Sequence, residues 1–184
     1  MGTGAVDMEI GSGVLSRQDI AALLDADPPL LDGLVDRDEQ LQANGVDITL
    51  ERVSRYHGPG MLGRAGHERV LPETEDIAFS NDQSVFLAPG AYQVRFNEIV
   101  HLPDWLMAYA RPRSSLLRSG VALHTAVWDA GYSGRGISLM VVYNPAGFRV
   151  SRDARICQLV FHRLTNTTDS AYAGAYQFEG RTSA

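Results

Sequence analysis

From Gly45 onward the chain alternates. In "VDITLERV" the residues Val46, Ile48 and Leu50 interleave with Asp47, Thr49 and Glu51, the period of two that sets one face of a β-strand against a core. "SVFLAPGAYQVRF" reads as two short strands about the turn Pro89-Gly90. The apolar segments "EIVHL", "LMAYARP", "GVALHTAVW", "ISLMVVYN" and "FRVSRDARICQLVFHRL" follow, separated by turn signals. Short strands in that rhythm predict an all-β domain, a barrel or a sandwich. One short helix precedes them. In "SRQDIAALLDAD" Ser16 is the N-cap and Asp19 stands at N3, with Ile20, Leu23 and Leu24 on one face, and "DPPLLDG" ends it.

Three stretches carry neither period. Residues 1–13 are small and glycine-rich and read as a flexible lead to a β domain over 14–168. Residues 169–184, with "SAYAGAYQFEGRTSA", read as a C-terminal tail that is mobile when nothing is bound to it. Residues 54–83 scatter glycine and proline and predict a long loop or a loose hairpin.

At 184 residues the chain is long enough to bury one core. It has no apolar run long enough to cross a membrane as a helix and no basic start followed by an apolar stretch. Its one cysteine, Cys157, sits within "ICQLVF" and reads as a core thiol. These features predict a cytoplasmic protein without a membrane partner.

Charge narrows the chemistry. All 16 basic residues are arginine, so a phosphate-loop lysine, a Schiff-base lysine and a lysine general base are excluded. Residues 1–94 hold 16 acids and 6 arginines, a net of −10, whereas residues 95–184 hold 6 acids and 10 arginines, a net of +4. The total of −6 argues against a nucleic-acid partner. Arginines gathered in the second half suit a small polyanion, since guanidinium pairs with phosphate through two hydrogen bonds.

Four stretches carry candidate chemistry. "ARPRSSLLRSG" (110–120) joins Arg113, Ser114, Ser115 and Arg118, which form either a phosphate-holding turn or a solvated helix start. "TAVWDAGYSGRG" (125–136) places Asp129 directly after Val127 and Trp128. Its glycines fit a β-hairpin loop, in which Asp129 either caps the turn or orients a water. In "ARICQLVF" Gln158 is a lone polar residue among apolar ones, bonded in the core or lent to a site. Asp47 follows the flexible Asn44-Gly45 and reads first as a surface aspartate on a strand's polar face.

Taken in order, Asn-Gly-Val-Asp-Ile-Thr (44–49), Pro-Arg-Ser-Ser-Leu (112–116), Asp-Ala-Gly-Tyr-Ser-Gly (129–134) and Ala-Arg-Ile-Cys-Gln-Leu (154–159) resemble the successive motifs of the dUTPase and dCTP deaminase superfamily. "GVLSRQDIAALL" and "YAGAYQFEGR" are similar to the two ends of its dCTP deaminase-like branch. The resemblance implies a distorted jelly-roll subunit, a homotrimer with active sites at subunit interfaces, and a deoxypyrimidine triphosphate ligand with Mg²⁺. It implies that Arg113, Ser114, Ser115, Arg118 and Gln158 meet the phosphates, with Ser114 near the bridge that breaks. It places Asp47 at the metal's water shell, the 125–134 segment with Thr125 and Val127 along the base, and Tyr132 against the deoxyribose. Tyr176, Gln177 and Arg181 would close over the triphosphate.

The same resemblance separates two activities. The deaminases of the superfamily move protons with a glutamate on the strand after the hairpin, where this chain reads "ISLMVVYN", with Met140 or Val141 at the matching position. Neither moves a proton. Asp129, the acid with which dUTPases hold the attacking water, is present. The expectation is a dUTP diphosphatase; a dCTP deaminase or bifunctional enzyme and a catalytically silent nucleotide-binding trimer are the alternatives. The tail departs from the branch's pattern at Phe178-Glu179.

Overall fold

Residues Gly45–His57 form the longest strand, and the remaining elements are placed by what pairs with it. The structure is a computed structural model that describes residues 13–181. Residues 1–12, nearly all of the expected flexible lead, and residues 182–184 of the tail lie outside the described residues. The first elements are β1 (Gly13–Val14), α1 (Arg17–Leu24), β2 (Leu31–Asp32), α2 (Arg37–Gln40), β3 (Leu41–Gln42) and β4 (Gly45–His57). Then come β5 (Glu73–Asp76), β6 (Ser84–Leu87), β7 (Gly90–Phe96), β8 (Ile99–His101), β9 (Leu106–Pro112) and α3 (Ser114–Arg118). The last are β10 (Val121–His124), β11 (Val127–Trp128), β12 (Ser133–Gly134), β13 (Ile137–Val142), β14 (Phe148–Ser151) and β15 (Arg155–Arg163).

The main sheet runs β10-β13-β7-β4-β15-β9-β11, with β1 beside β15 and with β3 and β5 beside β4. A patch β12-β8-β2 and the pair β14-β6 complete the walls. Every strand pair is antiparallel, so the all-β expectation of a curled, jelly-roll-like subunit holds. No helix among the described residues is long and apolar enough to cross a membrane.

The helix over "RQDIAALL" forms as its sequence dictates. Ser16 Oγ accepts from the Asp19 N–H, Asp19 reaches back to the Ser16 N–H, and Ile20 is buried. Two further helices, α2 and α3, are too short for any periodicity to reveal. Asp36 caps α2 by accepting from the Glu39 N–H at 3.1 Å. The "SSLLR" stretch forms the short helix α3, with Ser114 and Ser115 exposed at its start. "GVALHTAVW" is not one strand: it breaks at Thr125-Ala126 into β10 and β11. For residues 54–83 the loose hairpin is found. β4 runs on to His57 and β5 folds back along it, Ser54 opposite Asp76 and His57 opposite Glu73.

Phe96, Phe161, Ile48, Leu50, Met140, Ile156 and Leu159 fill the core. β4 and β15 lie mid-sheet, and other segments cover both of their faces. The polar positions of "VDITL" therefore do not reach water. Asp47 is 3% exposed and Thr49 1%, which corrects the reading of Asp47 as a surface residue. Cys157 is fully buried, and burial pushes its thiol well up, so it stays a neutral core group as expected. Gly45 is required where β4 begins, because a Cβ there would lie 2.5 Å from the Leu159 carbonyl oxygen.

A second buried acid fastens the α2 segment to β4. Glu98 is 1% exposed, and its carboxyl accepts from Gln40 Nε2 at 2.7 Å, Thr49 Oγ1 at 2.6 Å and the Thr49 N–H at 2.9 Å. Gln40 Nε2 also donates to the Asp47 carbonyl, and its Oε1 accepts from the Asp36 N–H. Burial raises the Glu98 carboxyl above its usual 4.5, against the pull of Thr49 and Gln40.

Glu98→Ala strands these donors and is expected to cost about 1–3 kcal/mol in urea unfolding. The raised value also fixes a sign. The folded state holds the Glu98 proton more tightly than the unfolded chain does, so this group's share of stability falls as pH climbs above 4.5 and levels off past the raised value. The stability of wild type minus that of Glu98→Gln should therefore decline across that window, and a difference independent of pH would refute the assignment.

Candidate functional site

The turn Asp129–Tyr132 closes with the Tyr132 N–H donating to the Asp129 carbonyl at 3.0 Å. Gly131 takes φ +85°, a conformation open to glycine, and a Cβ there would lie 2.7 Å from the Ala171 Cβ. The turn is not a hairpin loop. β11 pairs with β9, while β12 pairs with β8. The chain leaves one sheet and enters another, because Trp128 and Tyr132 both turn into the core. His101 pins the far end, its Nδ1 against the Ser133 hydroxyl at 2.8 Å and its Nε2 against Asp32 at 3.0 Å.

A cavity of about 400 Å³ opens beside this crossing. Its floor and near wall are Val127, Trp128, Asp129, Tyr132, Gly136 and Ile137. Asp129 is exposed, and among the described residues its carboxylate accepts no hydrogen bond, so it does not cap the turn. Val127, Tyr132 and Tyr176 share the cavity with it. Thr125 stands at the approach, its Oγ1 donating to the Ala110 carbonyl at 3.3 Å. Burial, with Glu179 and Tyr172 adding to it, pushes the Tyr132 hydroxyl up to about 12, which keeps it a neutral donor.

Residues without a local signal complete the wall. The β4–β5 arm brings Tyr56, Leu71, Pro72 and Thr74 to the cavity, and Arg69 of its tip lies 5.0 Å over the Tyr176 ring. The tail contributes Tyr172 and Glu179. Glu179 is half-buried; burial raises its carboxyl while Arg95 pulls it down. Only the three-dimensional path of the chain joins these residues to Asp129.

The remaining candidates gather elsewhere. Arg113, between β9 and α3, holds Asp47, Nε to Oδ2 at 3.1 Å, and Arg155 stands 3.8 Å from the same oxygen. Gln158 faces Asp47 across the β4–β15 pair. Burial raises the Asp47 carboxyl, and Arg113 and Arg155 oppose that rise. Ser114, Ser115 and Arg118 are exposed on α3. Arg113 lies five residues beyond Ala108, the β9 partner of Trp128, which is about 17 Å along the strand. One chain thus holds two half-sites, a cavity with a free carboxylate and an arginine–serine surface.

Among the described residues no three His, Cys, Asp or Glu side chains gather around one centre, and Asp47 faces two guanidinium groups. This donor set makes no cage for a metal. It leaves room for a divalent ion carried on phosphate oxygens, with Asp47 reaching at most its water shell.

Known proteins share this sequence and this fold. The sequence model of the dCTP deaminase-like family matches residues 14–164. A probable deoxyuridine 5'-triphosphate nucleotidohydrolase of Methanosarcina mazei is 45% identical over 166 residues, 90% of this chain and 97% of that one. Its counterpart in Archaeoglobus fulgidus is 44% identical over 166 residues, covering 90% and 96%. The 2'-deoxycytidine 5'-triphosphate deaminase from Agrobacterium tumefaciens shares the fold with a TM-score of 0.64 at 22% identity, over 83% of this chain and 48% of that one. This chain therefore spans about half of that deaminase's length. The family match runs from β1 into the residues just past β15 and includes the turn, the arginine–serine helix and the Asp47 strand: the chain belongs to the dCTP deaminase-like family.

Proposed function

We propose that this chain is a dUTP diphosphatase, converting dUTP and water to dUMP and pyrophosphate. The observation that carries the reading is the free Asp129 carboxylate at the edge of a cavity walled by Trp128, Tyr132 and Ile137. The names and identities of the archaeal relatives support it. The cavity takes the deoxyuridine, with Thr125 and Val127 along the base and Tyr132 against the sugar, where a 2'-hydroxyl would be crowded. Asp129 orients a water for in-line attack on the α-phosphorus and takes up its proton. The new bond forms from that water oxygen, and the bond from the α-phosphorus to the α,β-bridging oxygen breaks. Arg113, Arg118, Ser114, Ser115 and Gln158 hold the phosphates and offset charge on the leaving pyrophosphate. Tyr176 lines the cavity from the tail, whereas Arg181 lies over the Phe178 ring with its Nη1 3.4 Å from the Ser133 hydroxyl, outside the cavity. Magnesium bound to the triphosphate would neutralise part of the same charge, and Asp47 is the residue that would touch its water shell.

The two half-sites of one chain face different regions, so the cavity of one subunit works with the arginine–serine surface of another, in the homotrimer that the family resemblance implies. Strand β13 carries no acid that could serve deamination as a proton shuttle. Ile137 is the β13 residue that lines the cavity, and Met140 is buried in the core on the opposite face of that strand.

Three outcomes test this. Asp129→Asn should lower kcat on dUTP by about 10²–10⁴-fold in a pyrophosphate-release assay, and unchanged turnover would remove the mechanism. dCTP should release no ammonia, and a steady ammonia signal would restore the deaminase reading. Asp129→Asn and Ser114→Ala, each impaired alone, should regain turnover when their subunits are mixed and reassembled. Failure to regain it would place the complete site within one subunit.

A further inference from the structure

One group of side chains beside the Asp129 turn has no part in the phosphate chemistry. The small sheet β12-β8-β2 sets β8 in the middle. Ser133 stands directly opposite His101 across β12 and β8, and Asp32 lies opposite Ile99, two residues from His101 on the same face. Their side chains therefore meet in a row. His101 Nε2 is 3.0 Å from an Asp32 carboxylate oxygen, and His101 Nδ1 is 2.8 Å from the Ser133 hydroxyl. A carboxylate only accepts, so in the neutral ring Nε2 carries the proton and donates it. Nδ1 is then the acceptor, and the Ser133 O–H donates to it. The His101 side chain is only 11% exposed, so packing fixes the ring between its two partners.

This row opens on a second cavity, of about 500 Å³. The turn divides the two cavities: Tyr132 lines the first and Ser133 the second. Leu23, Pro28, Leu30, Pro103 and Trp105 make most of the remaining wall apolar. The arrangement meets the geometric requirements of an activated serine. A hydroxyl bonds to an imidazole, the imidazole bonds to a carboxylate, and an apolar recess lies beside the hydroxyl. Arg181 also borders the cavity, its Nη1 3.4 Å from the Ser133 hydroxyl, and a guanidinium there offsets charge gained by a bound carbonyl oxygen. The relay itself belongs to β2, β8 and β12 and stands wherever the tail lies.

We propose that Ser133 is a nucleophile with His101 as its general base and Asp32 as a positioning residue, and that the second cavity takes small carboxylic esters with apolar groups. Ser133 Oγ attacks the ester carbonyl carbon while its proton passes to His101 Nδ1. The bond from Oγ to that carbon forms, the bond from the carbon to the alcohol oxygen breaks, and the departing alcohol takes the proton from His101. Water then attacks the acyl-serine with the same nitrogen as base, which returns the free serine and a carboxylic acid. Asp32 keeps the ring in the required tautomer and offsets its positive charge between these steps. This activity is independent of the dUTP reading.

The test treats the full-length protein with a fluorophosphonate probe and maps the adduct by mass spectrometry. Wild type should carry the phosphonyl group on Ser133. His101→Ala should slow labelling by about 10²–10⁴-fold, the range for a lost general base. Asp32→Asn should slow it as well, and Asp32→Glu should restore it, a rescue that a merely structural contact would not produce in this readout. Hydrolysis of p-nitrophenyl butyrate should follow the same order and disappear in Ser133→Ala. Asp129→Asn should label at the wild-type rate, which separates this site from the phosphate chemistry. No adduct on Ser133 in folded wild type, or equal labelling of wild type and His101→Ala, would overturn the proposal, and neither result bears on pyrophosphate release from dUTP.

Discussion

Between Trp128 and Ser133 the chain must leave the strand pair with β9 and join β8. The cavity exists because of that crossing. Both flanking aromatics turn inward, which leaves the Asp129 carboxylate at the outer corner with no hydrogen-bond donor among the described residues. Only glycine serves at position 131, given its φ of +85° and the nearness of Ala171. A hairpin would have satisfied its own backbone across two paired strands. A crossing cannot, so its polar groups look outward for partners in the 101–103 loop and the tail: the Gly131 N–H donates to Pro103 and the Tyr132 carbonyl accepts from Leu102. The architecture that frees a carboxylate for chemistry thereby creates a need for bracing.

The parts of the fold legible in the sequence are those set by neighbouring residues. The capping box of Ser16 and Asp19, the alternation in "VDITLERV" and the apolar setting of Cys157 act over a few positions, and each is found. What the sequence concealed depends on distant segments. Asp47 has the spacing of a surface residue, yet Arg113 and Arg155 surround it and cover its strand. The glycines of 129–136 suit a hairpin and a sheet crossing alike, since positive φ serves both. The tail shows no apolar period because it docks chiefly through backbone and amide groups, which leave no mark in a hydrophobicity pattern.

The two buried acids show different solutions to one electrostatic problem. Asp47 lies against two guanidinium groups, so its charge is offset by full opposite charges and Arg113 is fixed in the process. Glu98 has no cation among its hydrogen-bond partners and relies on donors from Gln40 and Thr49. Burial raises both carboxyls; at Asp47 the two arginines oppose the rise, and at Glu98 the Thr49 and Gln40 donors do. The placement has a consequence for function. Asp47 keeps Arg113 extended at the end of β9, where a phosphate could compete for it. Glu98 keeps the strands beneath that surface in register without drawing an arginine inward.

The arm and the tail join the two ends of this argument. The β4–β5 arm stays straight through Arg52 and Ser54, both bound to Asp76, and it carries Arg69 to the Tyr176 ring. Tyr176 lies one residue before the amide that holds the turn. A displacement of the arm tip would thus be felt at Gln177, then at Ser133 and Gly131, and so at the corner that carries Asp129. Leu71 and Pro72 line the cavity from the same tip, so a ligand that pushes them outward also pulls on Arg69. The cavity wall and the corner that carries Asp129 are joined through this path of contacts.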